Sequence, residues 1–259
     1  MMNNLRITTI QSALHWEDIP ANLAMFDDKL EGLASFTDLV ILPEMFTTGF
    51  TMDAPGLAEP MDGNTVDWLR EKAKSLDAVV TGSFVATEGS CFYNRLIWMK
   101  PNGEFETYDK RHLFTLAGEH KAYTPGNKKL VTTWRGWKIC PLICYDLRFP
   151  VWASNVERYD LLIYVANWPE TRSHHWRHLL TARAIENQSY VAGINRVGVD
   201  GKGLLYTGDS MVIDFSGTTI YQISGKENIF TCELSKESLN AFRSKLGFLD
   251  DQDKFEILT

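Results

Sequence analysis

The sequence predicts an α/β protein in which helices cover two packed β-sheets. Apolar strands alternate with amphipathic helices over the first half of the chain and again after Cys144, a pattern that places helices against sheets. The predicted strands are too many for one small parallel sheet. A two-sheet sandwich fits this pattern, which also leaves a barrel open. No Pro-, Ser- or Gly-rich linker divides the 259 residues, so we expect one domain over residues 1–259.

The first half of the chain predicts five strands and two helices. The run Leu39–Leu42 is wholly apolar and is closed by Pro43, which is typical of a buried strand. Asn64 is predicted to cap a helix that has Asp67 in its first turn and an apolar face at helical spacing. In chain order the predicted elements are a strand at Leu5–Ala13, a helix at Ile19–Leu33, a strand at Leu39–Leu42, a helix that includes Val66 to Leu76, and strands at Ala78–Ala86, Phe92–Met99 and Glu104–Lys110.

The second half predicts six more strands, each an apolar or alternating run between turn residues. A short helix is expected after Pro150, and longer helices are expected further along the chain. The predicted strands are Trp137–Cys144, Leu161–Ala166, Tyr190–Asn195, Ser210–Asp214, Thr218–Ile223 and Ile229–Leu234, and the longer helices are His174–Asn187 and Ser235–Leu246.

Composition narrows the classes of function. The net charge of -7 argues against nucleic acid or an anionic membrane as a partner, because both attract basic surfaces. Residues 1–11 lack the basic-then-apolar pattern of an export signal, and no apolar run approaches the length that spans a bilayer. Four cysteines are too few for a disulfide scaffold at this length, so we expect reduced thiols and a cytoplasmic location.

Several common catalytic motifs are absent from the sequence. It contains no Walker A loop, no G-x-G-x-x-G, no G-x-S-x-G and no H-E-x-x-H. Nucleotide hydrolysis, hydride transfer, serine hydrolysis and zinc proteolysis therefore lose their usual support. We expect no metal and no cofactor.

Three segments place reactive side chains at strand ends. Glu44 directly follows a buried strand, a position that suits a general base, although a rim glutamate paired with a lysine would look the same. Lys110 is the last residue of the predicted strand Glu104–Lys110 and would stabilise an oxyanion, unless this charged run is simply solvated. Cys144 ends an apolar strand beside free backbone N–H groups, as a nucleophile would, whereas Cys140 within that strand reads as an inert buried thiol.

Together these segments resemble the nitrilase, or carbon–nitrogen hydrolase, superfamily over nearly the whole chain. The glutamate motif appears as L-P-E-M-F at Glu44, the lysine motif as Y-D-K-R-H-L-F at Lys110, and the nucleophile motif as I-C-Y-D-L-R-F-P at Cys144. A second glutamate of the family fits Glu119. The resemblance implies a four-layer αββα sandwich, with two subunits packed through helices into a homodimer or a higher oligomer.

Within this superfamily the chain is similar to the omega-amidases. The similarity rests on the nucleophile motif and on the segments A-N-W-P-E-T-R-S-H-H-W and A-R-A-I-E-N-Q-S-Y-V-A-G-I-N-R-V-G. Nitrile-hydrolysing relatives carry a Trp-Glu pair after the nucleophile, where this chain has Tyr145 and Asp146. The resemblance implies a cysteine amidohydrolase that releases ammonia from a small amide such as 2-oxoglutaramate.

The resemblance also implies roles for individual residues. Cys144 would attack the amide with Glu44 as base, and Lys110 with the backbone N–H of Tyr145 would bind the oxyanion. Arg148 and Arg172 are the candidates for binding the substrate carboxylate, although Arg148 would equally well pair with Asp146 or another acidic residue. The pocket walls are predicted to include Phe46 and Trp168.

Other readings remain open at this stage. Neighbouring activities in the superfamily act on N-carbamoyl compounds, deaminated peptides or nitriles, and a nitrilase-like fold can also serve binding alone. A metal enzyme is a further alternative, because His174 and His178 are one helical turn apart and His175 adjoins them. No third ligand is evident for such a site.

Overall fold

The computed structural model describes residues 4–34 and 36–257. Residues 1–3, which belong to the segment predicted to lack an export signal, and the chain end lie outside the described residues. The strands in chain order are β1 (Leu5–Gln11), β2 (Leu39–Ile41), β3 (Val79–Glu88), β4 (Cys91–Met99), β5 (Phe105–Asp109), β6 (Thr132–Trp134), β7 (Trp137–Ile143), β8 (Leu161–Ala166), β9 (Tyr190–Asn195), β10 (Val197–Val199), β11 (Leu205–Ile213), β12 (Thr219–Ser224) and β13 (Asn228–Leu234). The helices are α1 (Ile19–Leu30), α2 (Ala54–Leu57), α3 (Asn64–Leu76), α4 (Glu119–Ala122), α5 (Pro150–Ala153), α6 (Ser173–Asn187) and α7 (Lys236–Lys245).

These strands form two mixed sheets. Sheet I has the order β13-β1-β2-β3-β4-β5, with β1, β2 and β3 parallel to one another. Sheet II has the order β10-β11-β9-β8-β7-β6, with β12 also paired to β11 and with β7, β8 and β9 parallel. The carboxyl ends of parallel strands lie at the same edge of a sheet. Side chains that follow β2 in sheet I, or β7 and β8 in sheet II, therefore lie at such an edge.

The residues of β2 show how the sheets and helices are layered. Leu39 and Ile41 belong to the core cluster between the two sheets, whereas Val40 belongs to the cluster that sheet I forms with α1 and α3. This alternation is that of a strand covered on both faces. On the far side, α6 lies so close to sheet II that a Cβ on Gly193 would be 2.4 Å from the Leu180 side chain.

Four layers result, in the order helices, sheet I, sheet II, helices. The predicted αββα sandwich is confirmed, and the two sheets are separate rather than closed into one barrel.

Several predicted boundaries are wrong. Strand β11 begins at Leu205 rather than at 210. Its register shifts between Gly208 and Ser210, where Asp209 has a φ of +57°. That irregularity interrupts the alternation by which a strand is recognised. Strands β6 and β10 were not predicted, since three residues are too few for a pattern. Helix α3 has Gly63 rather than Asn64 at its N-cap.

Within residues 4–34 and 36–257, none of the helices combines the length and the apolar character needed to cross a bilayer.

Candidate active site

The predicted reactive side chains meet where the two sheets end. Glu44 lies just beyond β2 of sheet I, Lys110 directly follows β5, and Cys144 directly follows β7 of sheet II. Glu119 is the first residue of the short helix α4. The structure thus brings together residues from three separate parts of the sequence: Glu44, the segment that holds Lys110 and Glu119, and Cys144.

Two glutamates contact the same lysine in this cluster. The Nζ atom of Lys110 lies 2.8 Å from Oε1 of Glu44 and 2.9 and 3.0 Å from the two carboxylate oxygens of Glu119. All three side chains are fully buried. Burial lowers the pKa of Lys110, but the nearby carboxylates of Glu119 and Glu44 outweigh it and raise that pKa above the ordinary value. The lysine therefore stays protonated at neutral pH.

The Cys144 thiol is buried beside this charged cluster. Burial raises its pKa well above the ordinary value, and the negative charge of nearby Glu44 acts in the same direction. The ammonium of Lys110 opposes this shift without cancelling it. At neutral pH the site therefore holds a neutral thiol close to Glu44 and Lys110.

Two asparagines complete the environment of Glu44. The side-chain amide of Asn94 donates to Oε1 of Glu44 over 2.8 Å, and the backbone N–H of Asn167 donates to Oε2 over 2.7 Å. The side-chain amide of Asn167 also donates to the Glu44 carbonyl over 2.6 Å. Asn167 follows β8, so it links sheet II to the glutamate of sheet I.

The cysteine lies in a strained turn. Cys144 has a φ of +45°, a left-handed conformation that is unfavourable for a side chain with a Cβ. A single 3₁₀ turn, Cys144–Arg148, begins there, and the first N–H groups of such a turn have no acceptor within it. Tyr145 lines the pocket next to the sulfur. The turn is therefore arranged as a site for negative charge beside the thiol.

Asp146 holds the cysteine turn against the lysine segment. Its Oδ2 accepts hydrogen bonds from the Ile143 N–H over 3.0 Å and from the Tyr108 hydroxyl over 2.7 Å. Its Oδ1 accepts from the His112 N–H over 3.0 Å and lies 2.7 Å from His112 Nδ1. Both oxygens of Asp146 are thus hydrogen-bonded within the protein. Asp146, which the sequence offered as a partner for Arg148, forms no ion pair with that arginine.

A pocket opens directly above the thiol. It encloses about 590 Å³ of empty space, including its open mouth. Arg148 lies over the Trp168 ring at 4.6 Å from the ring centroid, and Arg172 lies over the Phe114 ring at 5.2 Å. The residues that line the pocket are Phe50, Lys110, Phe114, Ala117, Cys144, Tyr145, Arg148, Asn167, Trp168, Pro169, Arg172, Asp200, Lys202, Leu204 and Tyr206.

The two pocket arginines lack carboxylate partners. The one hydrogen bond of Arg148 joins its Nη2 to Nδ1 of His175 over 3.2 Å, and neither arginine forms an ion pair with any residue that the structure describes. Burial lowers the pKa of Arg148, and the positive charge of Arg172 lowers it further. Two like charges facing one apolar pocket are suited to an anionic ligand.

One predicted pocket residue is elsewhere. Phe46 lies in the core between sheet I and its helices, with ring centroids 5.6 Å from Phe26 and 5.8 Å from Trp68. The chain turns at Met45, which has a φ of +44°, so the direction of the strand does not continue to residue 46. Phe50 lines the pocket instead, with Nζ of Lys110 5.1 Å from its ring centroid.

Sequence reasoning missed several residues of this site. Asn167 had a usable signal, because it directly follows a buried strand just as Glu44 and Cys144 do. Asn94 lies inside strand β4, where the sequence carries no such mark. The hairpin between β10 and β11 supplies Asp200 and Lys202, and its approach to the pocket depends on tertiary packing.

The histidines of α6 form no metal site in the described part of the chain. His178 Nδ1 lies 2.8 Å from the carbonyl of His174, and their ring centroids are 4.0 Å apart. Among residues 4–34 and 36–257, no three His, Cys, Asp or Glu side chains are grouped as metal ligands would be.

Comparison with known proteins agrees with this geometry. The family model described as carbon-nitrogen hydrolase matches residues 6–244. The chain belongs to the carbon–nitrogen hydrolase family. The family prediction is thereby confirmed, and so is the likeness to omega-amidases, as the relatives of this hydrolase show.

Three relatives align with almost the entire chain of this hydrolase. Omega-amidase YafV of Escherichia coli K12 is 48% identical over 257 residues, which covers 99% of this chain and 100% of the relative. The 2-oxoglutaramate amidase of Bacillus subtilis 168 is 30% identical over 250 residues, covering 95% and 96%. A solved structure of a CN-hydrolase superfamily protein from Xanthomonas campestris, with an arsenic adduct in its active site, superposes with a TM-score of 0.97 at 45% identity, covering 99% and 100%.

Proposed function

We propose that this chain is an omega-amidase, which hydrolyses the terminal amide of a 2-oxo dicarboxylic acid and releases ammonia, with Cys144 as nucleophile. One observation supports the reaction above all others. The Lys110 ammonium lies within 3.0 Å of both Glu44 and Glu119, Glu44 acts electrostatically on the Cys144 thiol, and Lys110 and Cys144 line the same pocket.

The first step forms the carbon–sulfur bond. Because the pKa of Cys144 is raised, the thiol is neutral before reaction and needs a base at the moment of attack. Glu44 takes the thiol proton as the sulfur adds to the amide carbonyl carbon. The carbonyl π electrons move to oxygen and give a tetrahedral oxyanion.

The oxyanion forms beside a fixed positive charge. Lys110 is buried and protonated, so its ammonium stabilises the new negative charge without a solvent shell having to rearrange. The backbone N–H of Tyr145, at the start of the turn that follows the sulfur, is the second donor. Lys110 acts as a donor here rather than as an acid, because its pKa is raised.

The acyl group then passes to water. Glu44 returns its proton to the amide nitrogen, the carbon–nitrogen bond breaks, and ammonia leaves a thioester on Cys144. Glu44 next takes a proton from water as the water oxygen attacks the thioester carbonyl. The carbon–sulfur bond breaks, the sulfur regains the proton, and the carboxylic acid is released.

Glu119 holds the lysine in position in this scheme. Burial raises the pKa of Glu119, the Lys110 ammonium lowers it, and the charge of Glu44 raises it again. Its carboxylate also accepts the Phe114 N–H, which ties it to the pocket wall. Glu119 thus orients the Lys110 ammonium between two carboxylates.

The pocket supports an anionic amide as substrate. Arg148 and Arg172 face it without carboxylate partners and can bind a planar carboxylate through two parallel hydrogen bonds. Trp168 and Phe114 stack on these guanidinium groups and fix their planes. Relatives named omega-amidase and 2-oxoglutaramate amidase support the same substrate class.

The proposal is tested by removing the nucleophile and the base. Cys144→Ala and Glu44→Gln are each expected to lower kcat for 2-oxoglutaramate at least about 1,000-fold, because each removes a group that forms or transfers a bond. Ammonia release measures kcat, and thermal unfolding verifies the fold. Near-normal turnover in either folded variant contradicts the proposed roles.

The substrate class is tested separately with the unmodified protein. Ammonia release is compared among 2-oxoglutaramate, glutamine, a neutral aliphatic amide, an N-carbamoyl amino acid and a nitrile. The highest kcat/KM is expected for 2-oxoglutaramate, because Arg148 and Arg172 suit its carboxylate. Asp200, the one carboxylate among the described lining residues, already accepts hydrogen bonds from the N–H groups of Lys202 and Leu204 and from the Tyr206 hydroxyl, so the ammonium group of glutamine gains little there. A higher kcat/KM for a nitrile or an N-carbamoyl compound contradicts the substrate assignment.

A homodimer in the cytoplasm is part of the same proposal. Helix α5, the end of α6 and the segment at Phe255 border one groove, and Val151 and Phe255 are exposed there by 55% and 46%. Apolar side chains exposed together favour burial against a second copy. All four cysteines are free thiols, as in a reducing compartment. Sedimentation velocity tests the dimer, and a monomer at micromolar concentration contradicts it.

A further inference from the structure

We propose that Asn94 is a positioning residue that makes Oε2 of Glu44 the atom that accepts the Cys144 proton. This inference rests on the proposed function, because it concerns the base of that reaction. It assigns a role to a residue inside a strand that contacts both carboxylates of the site and the backbone of Lys110.

Asn94 contacts both carboxylates and the lysine segment. Its side chain is almost completely buried, and its Nδ2 lies 2.8 Å from Oε1 of Glu44 and 3.4 Å from Oε1 of Glu119. Its backbone carbonyl accepts the N–H of Lys110 over 3.0 Å. One residue of β4 therefore fixes the relative positions of two carboxylates and the segment that bears the ammonium.

The orientation of the Asn94 amide follows from its surroundings. The opposite orientation would direct the Oδ1 oxygen at two carboxylate oxygens, and three acceptors would then repel one another with no proton between them. Only the orientation with Nδ2 toward Glu44 and Glu119 supplies donors. Asn94 is thus a neutral donor to a pair of anions.

The two oxygens of Glu44 consequently differ. Oε1 accepts from Lys110 Nζ and from Asn94 Nδ2, so both of its lone pairs are used. Oε2 accepts only the Asn167 N–H among the hydrogen bonds of the described residues, so one lone pair remains. The Asn167 carbonyl lies 3.9 Å from Sγ of Cys144, which puts this residue beside both Oε2 and the thiol. Oε2 is the oxygen left to bind the proton.

Asn94 also favours the ionised form of the base. A hydrogen bond donated to a carboxylate stabilises its charged form, and an amide does this without adding a second cation beside Lys110. Loss of the donor makes Glu44 harder to keep ionised. Asn94→Asp, which replaces the donor by an acceptor, has a larger effect on Glu44 than loss of the donor alone, because it adds a third carboxylate around the Lys110 ammonium.

The experiment measures kcat/KM for 2-oxoglutaramate against pH in Asn94→Ala and Asn94→Asp. For Asn94→Ala we expect the acid limb to move to higher pH by about one pH unit, with kcat at neutral pH reduced roughly 10- to 100-fold and KM changed much less. Asn94→Asp is expected to move the limb further. If Asn94→Asp does not fold, Asn94→Ala decides the question alone.

Asn155→Asp is the matched control. Asn155 is also fully buried, and its Nδ2 donates to the carbonyls of Tyr159 and Asn187, each over 2.9 Å, away from the pocket. This variant should lose thermal stability but keep the acid limb in place. An acid limb of Asn94→Ala that coincides with that of the unmodified protein overturns the proposal.

Failure of this inference is distinguishable from failure of the proposed function. If Cys144→Ala and Glu44→Gln abolish turnover while the Asn94 variants keep the original acid limb, only the role of Asn94 is wrong. If either of the first two variants retains turnover, the proposed reaction itself fails.

Discussion

At the scale of single residues, Arg148 shows that the fold decides which carboxylate is available to an arginine. The sequence left two kinds of partner open, a substrate carboxylate or an acidic residue such as Asp146, and both involve ordinary arginine chemistry. The structure excludes Asp146 as the partner, because its oxygens accept hydrogen bonds from Ile143, Tyr108 and His112. Arg148 instead stacks on Trp168 at the pocket wall, where its positive charge is balanced by no carboxylate of the described chain.

Arg148→Lys is expected to raise KM for 2-oxoglutaramate roughly tenfold and to leave KM for a neutral amide almost unchanged. A lysine keeps the charge but loses the planar pair of donors and the stacking on Trp168. Steady-state kinetics with both amides measures the difference. Arg158→Lys is the control, because Arg158 bonds to Leu249 and Asp250 outside the pocket. An equal change in KM for both amides removes Arg148 from substrate binding.

Among the structural elements, the turn after β7 is the one whose conformation and contacts the local sequence predicts least completely. The pattern predicted that a strand ends at Cys144 and that the chain turns there; β7 ends one residue earlier, at Ile143, and the turn begins at Cys144. The pattern did not contain the left-handed backbone of Cys144 or the four contacts of Asp146. Those contacts join the turn to residues 108 and 112, which are close only because the two sheets pack together.

Asp146→Asn is expected to lower both stability and kcat. The new amide directs N–H groups at donors of Ile143, Tyr108 or His112, which costs about 2–4 kcal/mol of unfolding free energy, and it releases the turn that holds Cys144. Chemical denaturation and ammonia release measure the two effects.

Asp160→Asn provides the comparison for Asp146. Asp160 is a buried carboxylate that accepts the Lys138 N–H over 2.8 Å and pairs with Arg243, away from the pocket. Its replacement should lower stability with kcat retained. If Asp146→Asn keeps kcat as well, the turn does not depend on that carboxylate.

Over the whole molecule, the packed sheets bury groups that titrate in the unfolded chain. Burial raises the pKa of Cys140 on β7 from the ordinary 9.0 to about 12, and burial likewise raises the pKa of Tyr159 and Tyr164 well above the ordinary value. Above pH 9 the folded protein therefore holds more protons than the unfolded chain. Stability from these groups is complete below their ordinary pKa and is lost as the pH rises toward the raised values.

Cys140→Ala should reduce this loss of stability at alkaline pH. Between about pH 8 and about pH 10.5, the unmodified protein is expected to lose about 2 kcal/mol more unfolding free energy than the variant, in addition to any constant difference from the missing sulfur. Urea denaturation across this pH range measures it. Cys91→Ala, at a half-buried thiol on β4, should keep the full loss, and equal pH slopes for all three proteins contradict the prediction.

The sequence by itself determined the family, the order of the main strands and helices, and the positions of Glu44, Lys110 and Cys144 at strand ends. These features follow from hydrophobic periodicity and from motifs that are contiguous in the chain. Tertiary structure alone decided that Asn94 and Asn167 bond to Glu44, that Phe50 rather than Phe46 lines the pocket, and that Asp146 bonds to His112. Each of these contacts joins segments distant in sequence. Strand pairing within sheet I brings Asn94 to Glu44, and the packing of sheet I against sheet II brings Asn167 to Glu44 and Asp146 to His112.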